Sequence, residues 1–301
     1  MTETAAAQPV PGQPPAASDD QLDLIFASFA DWKAQHSPYT PLHRLLKRVA
    51  RAEIERRFAD PGDDPRPFGP FGSLRFPYHA MGSIDSLNLF DINELMIFAF
   101  YHRNRGRYAK ALDLGANLGL HSIMLSRCFG EVRSFEPDPV HFELLSANLD
   151  RNGCGNVTPV RAAASVQDGE AEFVRVKGNT TGSHLAGAKK NPYGELDRFT
   201  VPLRDVTAEI AWADLVKLDI EGHEGELITG IDPAVWAKTD AIVEIGTAEN
   251  AERVFAHFHG SPVRLFSQHL GWGQVTVAAE MPKSHHDGSL FMTTGDGVPW
   301  G

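Results

Sequence analysis

The residues with most chemical content lie where short apolar runs end. The run Ala111-Leu112-Asp113-Leu114-Gly115-Ala116-Asn117-Leu118-Gly119 reads as a strand that ends in an acid, turns on glycine and enters a helix. Such loops bring backbone close to a ligand at a helix start. A dinucleotide loop would read G-x-G-x-x-G, and here Asn117 stands at the middle glycine, which hinders a pyrophosphate. The Lys-Ser/Thr of a P-loop is also missing. Asp113 would repel phosphate and suits an amino or sulfonium cation. The next strand ends in Ser134-Phe135-Glu136-Pro137, and Glu136 follows Asp113 by 23 residues. An acid at that place can bond two ribose hydroxyls. A glycine loop alone is commonplace in tight turns. The two acids on consecutive strands point further, to a cationic nucleoside without phosphates, and S-adenosylmethionine has all three properties.

A second acidic cluster follows a later apolar run: Val216-Lys217-Leu218-Asp219-Ile220-Glu221-Gly222-His223-Glu224. In α/β sheets ligands sit beyond the carboxyl ends of strands, so Asp219 and Glu221 are expected near the same crevice as Asp113. Glu244 ends the following strand and is expected on the same wall. Crowded carboxylates cost free energy unless cations or hydrogen bonds compensate, so the cluster reads as functional. Glu224 and Glu226 read instead as first-turn acids favoured by the helix dipole. For His223 a capping or solvent-facing role weighs as much as catalysis. His257 and His259 fall on different faces of a helix, and neither they nor His285-His286 make a convincing metal site.

Elements must position these residues. Apolar runs at Ala111–Leu114, Val132–Phe135, Val157–Val160, Leu215–Ile220 and Ala241–Ile245 alternate with helix-length segments. That alternation predicts a mostly parallel sheet covered on both faces. Runs at Val263–Phe266, Val275–Ala278 and Ser289–Thr293 predict antiparallel strands that close it. Residues 1–20 read as a disordered tail, 21–84 as a helical extension, and 85–301 as the main domain with an insertion at 166–201. Asp91, with Glu94 three residues on, reads as a capping box.

Composition fits this outline. Of 301 residues, 42% are hydrophobic and 22% charged, and the net charge of −11 argues against a nucleic-acid partner. The longest apolar stretch, Leu95 to Tyr101, is far too short to span a membrane. Two cysteines without a CxxC and the lack of a signal-peptide pattern predict a reducing, cytoplasmic setting.

At these blocks the chain resembles the FkbM-type family of S-adenosylmethionine-dependent methyltransferases. The resemblance rests on Asp113 to Gly119, Phe135-Glu136-Pro137, Lys217 to Glu224 and Val243-Glu244-Ile245, and spans about residues 85–294. It implies a Rossmann-like methyltransferase fold and O-methylation of a sugar, glycan or natural-product hydroxyl. By similarity, Asp113, Gly115, Asn117 and Gly119 would hold the methionine end of the cofactor and Glu136 its ribose. Glu94 would lie near the cofactor, and the block from Asp219 would sit between cofactor and acceptor.

An acceptor hydroxyl must lose its proton, and Asp219, Glu221 and His223 are the candidates to take it. Mg²⁺ held by the carboxylates is an alternative; the metal-free route is preferred because no dense pair of aspartates stands near Asp219. The insertion and the N-terminal helices are expected to form the acceptor pocket, taking a small molecule or carbohydrate. The sequence leaves the acceptor's identity and the oligomeric state open. The competing readings are an NAD-dependent dehydrogenase and a non-catalytic S-adenosylmethionine-binding protein.

Overall fold

The computed structural model describes residues 20–188 and 194–300. The tail expected over residues 1–20 therefore lies outside the described residues, apart from Asp20. Asp20 is a helix cap: its side chain accepts from the Leu22 and Asp23 N–H groups and pairs with Arg57 at 2.6 Å.

Two helices come first, α1 (Gln21–Asp31) and α2 (Pro41–Phe58). Leu22, Ile25, Phe26 and Phe29 recur at helical spacing and are all buried. Thr40 caps α2, with Pro41 at its first position. A short antiparallel pair follows, β1 (Arg66–Pro67) and β2 (Ser73–Leu74), and then α3 (Ile92–Arg103). The apolar run Leu95–Tyr101 is the buried body of α3, which packs against α1, α2 and the central sheet in one core.

The rest alternates strand and helix. It runs β3 (Lys110–Leu114), α4 (Leu120–Cys128), β4 (Glu131–Phe135), α5 (Pro139–Arg151) and β5 (Val157–Val160). Then come β6 (Ala163–Ser165), β7 (Gly169–Val176), β8 (His184–Leu185) and β9 (Leu196–Asp205). The chain continues through α6 (Thr207–Trp212), β10 (Leu215–Leu218), α7 (Glu224–Thr229), α8 (Pro233–Trp236), β11 (Asp240–Glu244) and α9 (Ala248–Phe258). It ends with β12 (Arg264–Ser267), β13 (Gly273–Gln274) and β14 (Ser289–Thr293).

The main sheet has the order β13-β12-β14-β11-β10-β3-β4-β5. The five strands from β5 to β11 are parallel, and β14 enters antiparallel between β11 and β12. This is an α/β, Rossmann-like sheet with a reversed strand near its end. Leu112, Leu114, Val216 and Leu218 face one layer of core; Ala111 and Leu215 face the layer under α3 and α4. A second sheet, β6-β9-β7-β8, spans residues 163–205, wider than the 166–201 read from the sequence.

Two local expectations need correction. The strand expected at Val275–Ala278 is a turn entering a 3₁₀ segment at Ala278–Glu280, because the Glu280 carboxylate accepts from the Thr276 and Val277 N–H groups and the Thr276 hydroxyl. Asp91 does cap α3, accepting from Asn93 N–H at 3.1 Å. Glu94 does not complete a box with it, because its carboxylate turns to His121 at 2.7 Å.

Candidate functional site

The loop after β3 takes a left-handed backbone at every second residue: Gly115 (φ 86°), Asn117 (φ 51°) and Gly119 (φ 87°). Asparagine is among the few side-chain-bearing residues that tolerate this region, so Asn117 serves where a glycine was missed. The glycines answer to protein neighbours. A Cβ on Gly115 would lie 1.7 Å from the Asp219 carbonyl oxygen, and one on Gly119 would lie 2.5 Å from Leu145. Gly115 therefore lets the ends of β3 and β10 close on each other.

Glu136 follows β4 and is only 5% exposed. Its Oε2 accepts from Asn117 N–H and its Oε1 from Asp138 N–H, each at 2.8 Å. Burial raises its carboxyl to about 8; those two N–H groups pull it down, and Asp138 and Asp113 push it up. Each oxygen retains a lone pair beyond these bonds. Glu136, Gly115 and Asn117 line a crevice of about 740 Å³, shared with Asp219, Glu221 and His223. Its other wall is Phe173, Thr181 and Ser183 of the second sheet and its loop; sequence reasoning assigns this insertion to the acceptor pocket, and it lines the crevice of Glu136 as well.

Asp113 departs from expectation. It is fully buried, lines no part of the crevice, and accepts from the Ser122 hydroxyl at 2.6 Å. The pleat explains this: Asp113 shares a face with Ala111, so its carboxylate turns beneath α4 rather than over the strand ends. Its Oδ1 meets no hydrogen-bond partner among the described residues. Gly119 also lies outside the crevice, as the N-cap of α4.

The same pleat gathers the acidic cluster. Lys217 is in register with Asp113 on the neighbouring strand, and Glu94 reaches in from α3. Lys217 Nζ lies 3.3 Å from Asp219 Oδ2. Burial pulls the Lys217 ammonium down, but Asp219, Asp113, Glu94 and Glu244 outweigh it and hold it above its ordinary value. Burial, then Asp219, Glu94 and Glu221, push the Glu244 carboxyl well up. Lys217 is the cation the crowding required, and its place inside a run of buried strand residues was the available signal.

A broader cleft of about 2090 Å³ opens beside the crevice, and Glu94, Asp219, Glu221 and Glu244 form its acidic floor. Glu94 lines this cleft and not the crevice. Its carboxylate lies 2.7 Å from His121 Nε2, and His121 Nδ1 in turn lies 3.0 Å from the Tyr101 hydroxyl. The two cavities share Leu89, Thr181, Asp219 and Glu221.

The turn that presents these acids is held from behind. Glu221 has φ 56°, a strained value for a side-chain-bearing residue. Glu224 is buried, and its carboxylate accepts from the Ile220 and Gly222 N–H groups, so it ties the turn rather than merely favouring a dipole. Burial raises its carboxyl. His223 precedes α7, lines the crevice only, and sits 3.5 Å from Glu226. Burial lowers its imidazole, opposed by Glu226.

Among the described residues no group of three or more His, Cys, Asp or Glu is arranged to hold a metal ion. His257 bonds the Ile231 carbonyl, and His285 and His286 stand at the edge of the cleft with ring centres 3.8 Å apart. No helix among the described residues is long and apolar enough to cross a membrane.

The FkbM methyltransferase domain model matches residues 113–279, more than half of the chain and the whole span from the glycine loop through the acidic turn. The chain belongs to the FkbM methyltransferase family. It is 32% identical over 135 residues to hexuronic acid methyltransferase AglP of Haloferax volcanii, covering 44% of this chain and 54% of that one. It is 27% identical over 158 residues to methyltransferase sdnD of Sordaria araneosa, covering 42% and 61%. The chain thus spans 54% and 61% of the length of these two relatives. A precorrin-6y C5,15-methyltransferase from Geobacter metallireducens aligns over 66% of this chain and 86% of its own, with 14% identity and a TM-score of 0.37. Family membership displaces the dehydrogenase reading.

Proposed function

We propose that this chain is an S-adenosylmethionine-dependent O-methyltransferase acting on a hydroxyl of a sugar, glycan or natural product. One observation carries the reading: a crevice with a nucleoside-type acid and an acid-floored cleft meet at Asp219 and Glu221. A two-substrate transfer needs such a junction. The name of one relative, a hexuronic acid methyltransferase, supports a carbohydrate acceptor. Both cysteines are buried free thiols, which suits a reducing compartment such as the cytoplasm.

The residues present fit the cofactor. Glu136 keeps acceptor capacity for two ribose hydroxyls, and the buried Asn117 Oδ1 has no partner among the described residues. The acidic floor and Asp113 below it favour a cation. When bound, S-adenosylmethionine supplies an electrophilic methyl group. The protein's work is then alignment and proton removal. Leu89 and Thr181 border both cavities at the junction. Asp219 is assigned to accept the acceptor's hydroxyl proton at its carboxylate, with Lys217 as its fixed counter-charge. Glu221 orients the hydroxyl, and His223, lining the crevice alone, serves the cofactor side.

Calorimetry with S-adenosylhomocysteine, followed by labelled-methyl transfer to a panel of sugars and polyketide alcohols, tests the proposal. Micromolar binding and transfer to an acceptor oxygen are expected. No binding overturns the cofactor assignment. Binding without transfer to any hydroxyl in the panel favours the non-catalytic alternative.

A further inference from the structure

The broad cleft is acidic at its floor and basic at one rim. That rim is the start of α2, where Thr40 accepts from His43 N–H and the helix presents its positive end. His43 lines the cleft, is 3% exposed, and its Nδ1 meets no hydrogen-bond partner among the described residues. Arg44 lines the cleft beside it, exposed and without an ion pair among the described residues. One turn on, Lys47 pairs with Asp91 at 2.7 Å. Arg48 continues along α2 past the rim, followed by Arg51, which pairs with Glu55 at 2.6 Å, on a chain whose net charge is −11.

We propose that the acceptor carries an anionic group, a phosphate or a carboxylate, and that His43 and Arg44 bind it at this rim while its hydroxyl lies at Asp219 and Glu221. The inference rests on the methyl-transfer reading and names the acceptor class within it. The floor dictates the orientation. Glu94, Asp219 and Glu221 repel an anion, so the charged end of the acceptor settles among the basic residues and the neutral hydroxyl is delivered to the acids. Arg44 offers a planar fork that matches either oxyanion in two-point fashion. The unpartnered imidazole nitrogen of His43 supplies a further polar contact in a place shielded from water. A wholly neutral acceptor would leave both groups unused.

The test uses the full chain saturated with S-adenosylhomocysteine and titrates it with D-glucose, D-glucuronate and glucose 6-phosphate. The two anionic sugars are expected to bind at least 10-fold tighter than glucose, and the stronger of the two identifies the oxyanion. Added salt should weaken them and leave glucose unchanged. Arg44→Gln should remove most of that preference, Arg44→Lys should restore part of it, and S-adenosylhomocysteine affinity should stay within twofold in both. With an acceptor that the enzyme methylates, Arg44→Gln should raise KM about 10-fold and leave kcat within twofold. Equal binding of all three sugars, no binding of any, or an unchanged preference in Arg44→Gln overturns the proposal. Failure of S-adenosylhomocysteine itself to bind would instead strike the underlying function.

Discussion

Arg175 grips Asp138 at two points, Nε to Oδ2 and Nη2 to Oδ1, each at 2.6 Å. Asp138 is fully buried and caps α5, while Arg175 belongs to β7 in the second sheet. Asp138 N–H also donates to Glu136. One ion pair therefore ties the second sheet to the acid proposed to hold the nucleoside. Burial raises the Asp138 carboxyl, but the bond and charge of Arg175, with His141, hold it below its ordinary value.

Arg175→Leu leaves that carboxylate buried and unpaired. The expected loss is about 3–5 kcal/mol, seen as a lower midpoint in urea or thermal unfolding. The pH signature has a definite sign. A depressed carboxyl stabilises above its unfolded pKa and loses that contribution as pH falls through the folded value. The acid limb of the wild-type stability curve should therefore be steeper than that of Arg175→Leu.

Glu136 behaves in the opposite sense. Burial lifts its carboxyl from 4.5 to about 8, so between those values the folded chain keeps a proton that the unfolded chain releases. Stability should fall as pH rises across that window. Glu136→Gln should flatten the fall, and unfolding midpoints at pH 5 and pH 8 measure it. The same variant exchanges one acceptor oxygen for a donor NH₂ and loses a neutral hydrogen bond to the proposed ribose. S-adenosylhomocysteine affinity should drop roughly 2- to 10-fold, from about 0.5–1.5 kcal/mol, by calorimetry.

Asp219→Asn removes the proposed proton acceptor while keeping its shape. Single-turnover methyl transfer should slow by about 10²–10⁴-fold, with S-adenosylhomocysteine affinity changed only a few-fold. A variant of near-wild-type rate would move the role to Glu221.

Gly115→Ala and Asn117→Gly separate the two uses of a left-handed backbone. The first drives a Cβ into the Asp219 carbonyl and should cost more than about 2 kcal/mol or prevent folding. The second keeps φ accessible and should stay within about 1 kcal/mol by thermal unfolding.

Much of this site was legible because strand ends are written locally. An apolar run that breaks into Asp-Leu-Gly or Asp-Ile-Glu-Gly announces where the sheet stops, and Glu136, Asp219 and Glu221 meet as that signal implies. Asp113 was misplaced because the sequence shows a residue near the end of a strand but not which face the pleat gives it. Glu94 was misread because its partner His121 lies 27 residues away, on another helix. Arg175 left no trace, since its pairing with Asp138 depends on how the second sheet folds back over α5. Val275–Ala278 reads as a strand by hydrophobicity, yet Glu280 captures its N–H groups first.

Asp219, Asp113 and Glu94 all act on the single Lys217 ammonium. On the methyl-transfer reading, the ligand arrives with a positive sulfur and leaves with a neutral one. A floor lined by carboxylates grips the first more tightly than the second. The spent nucleoside should accordingly depart more readily than its precursor, and turnover would empty the crevice without any moving part.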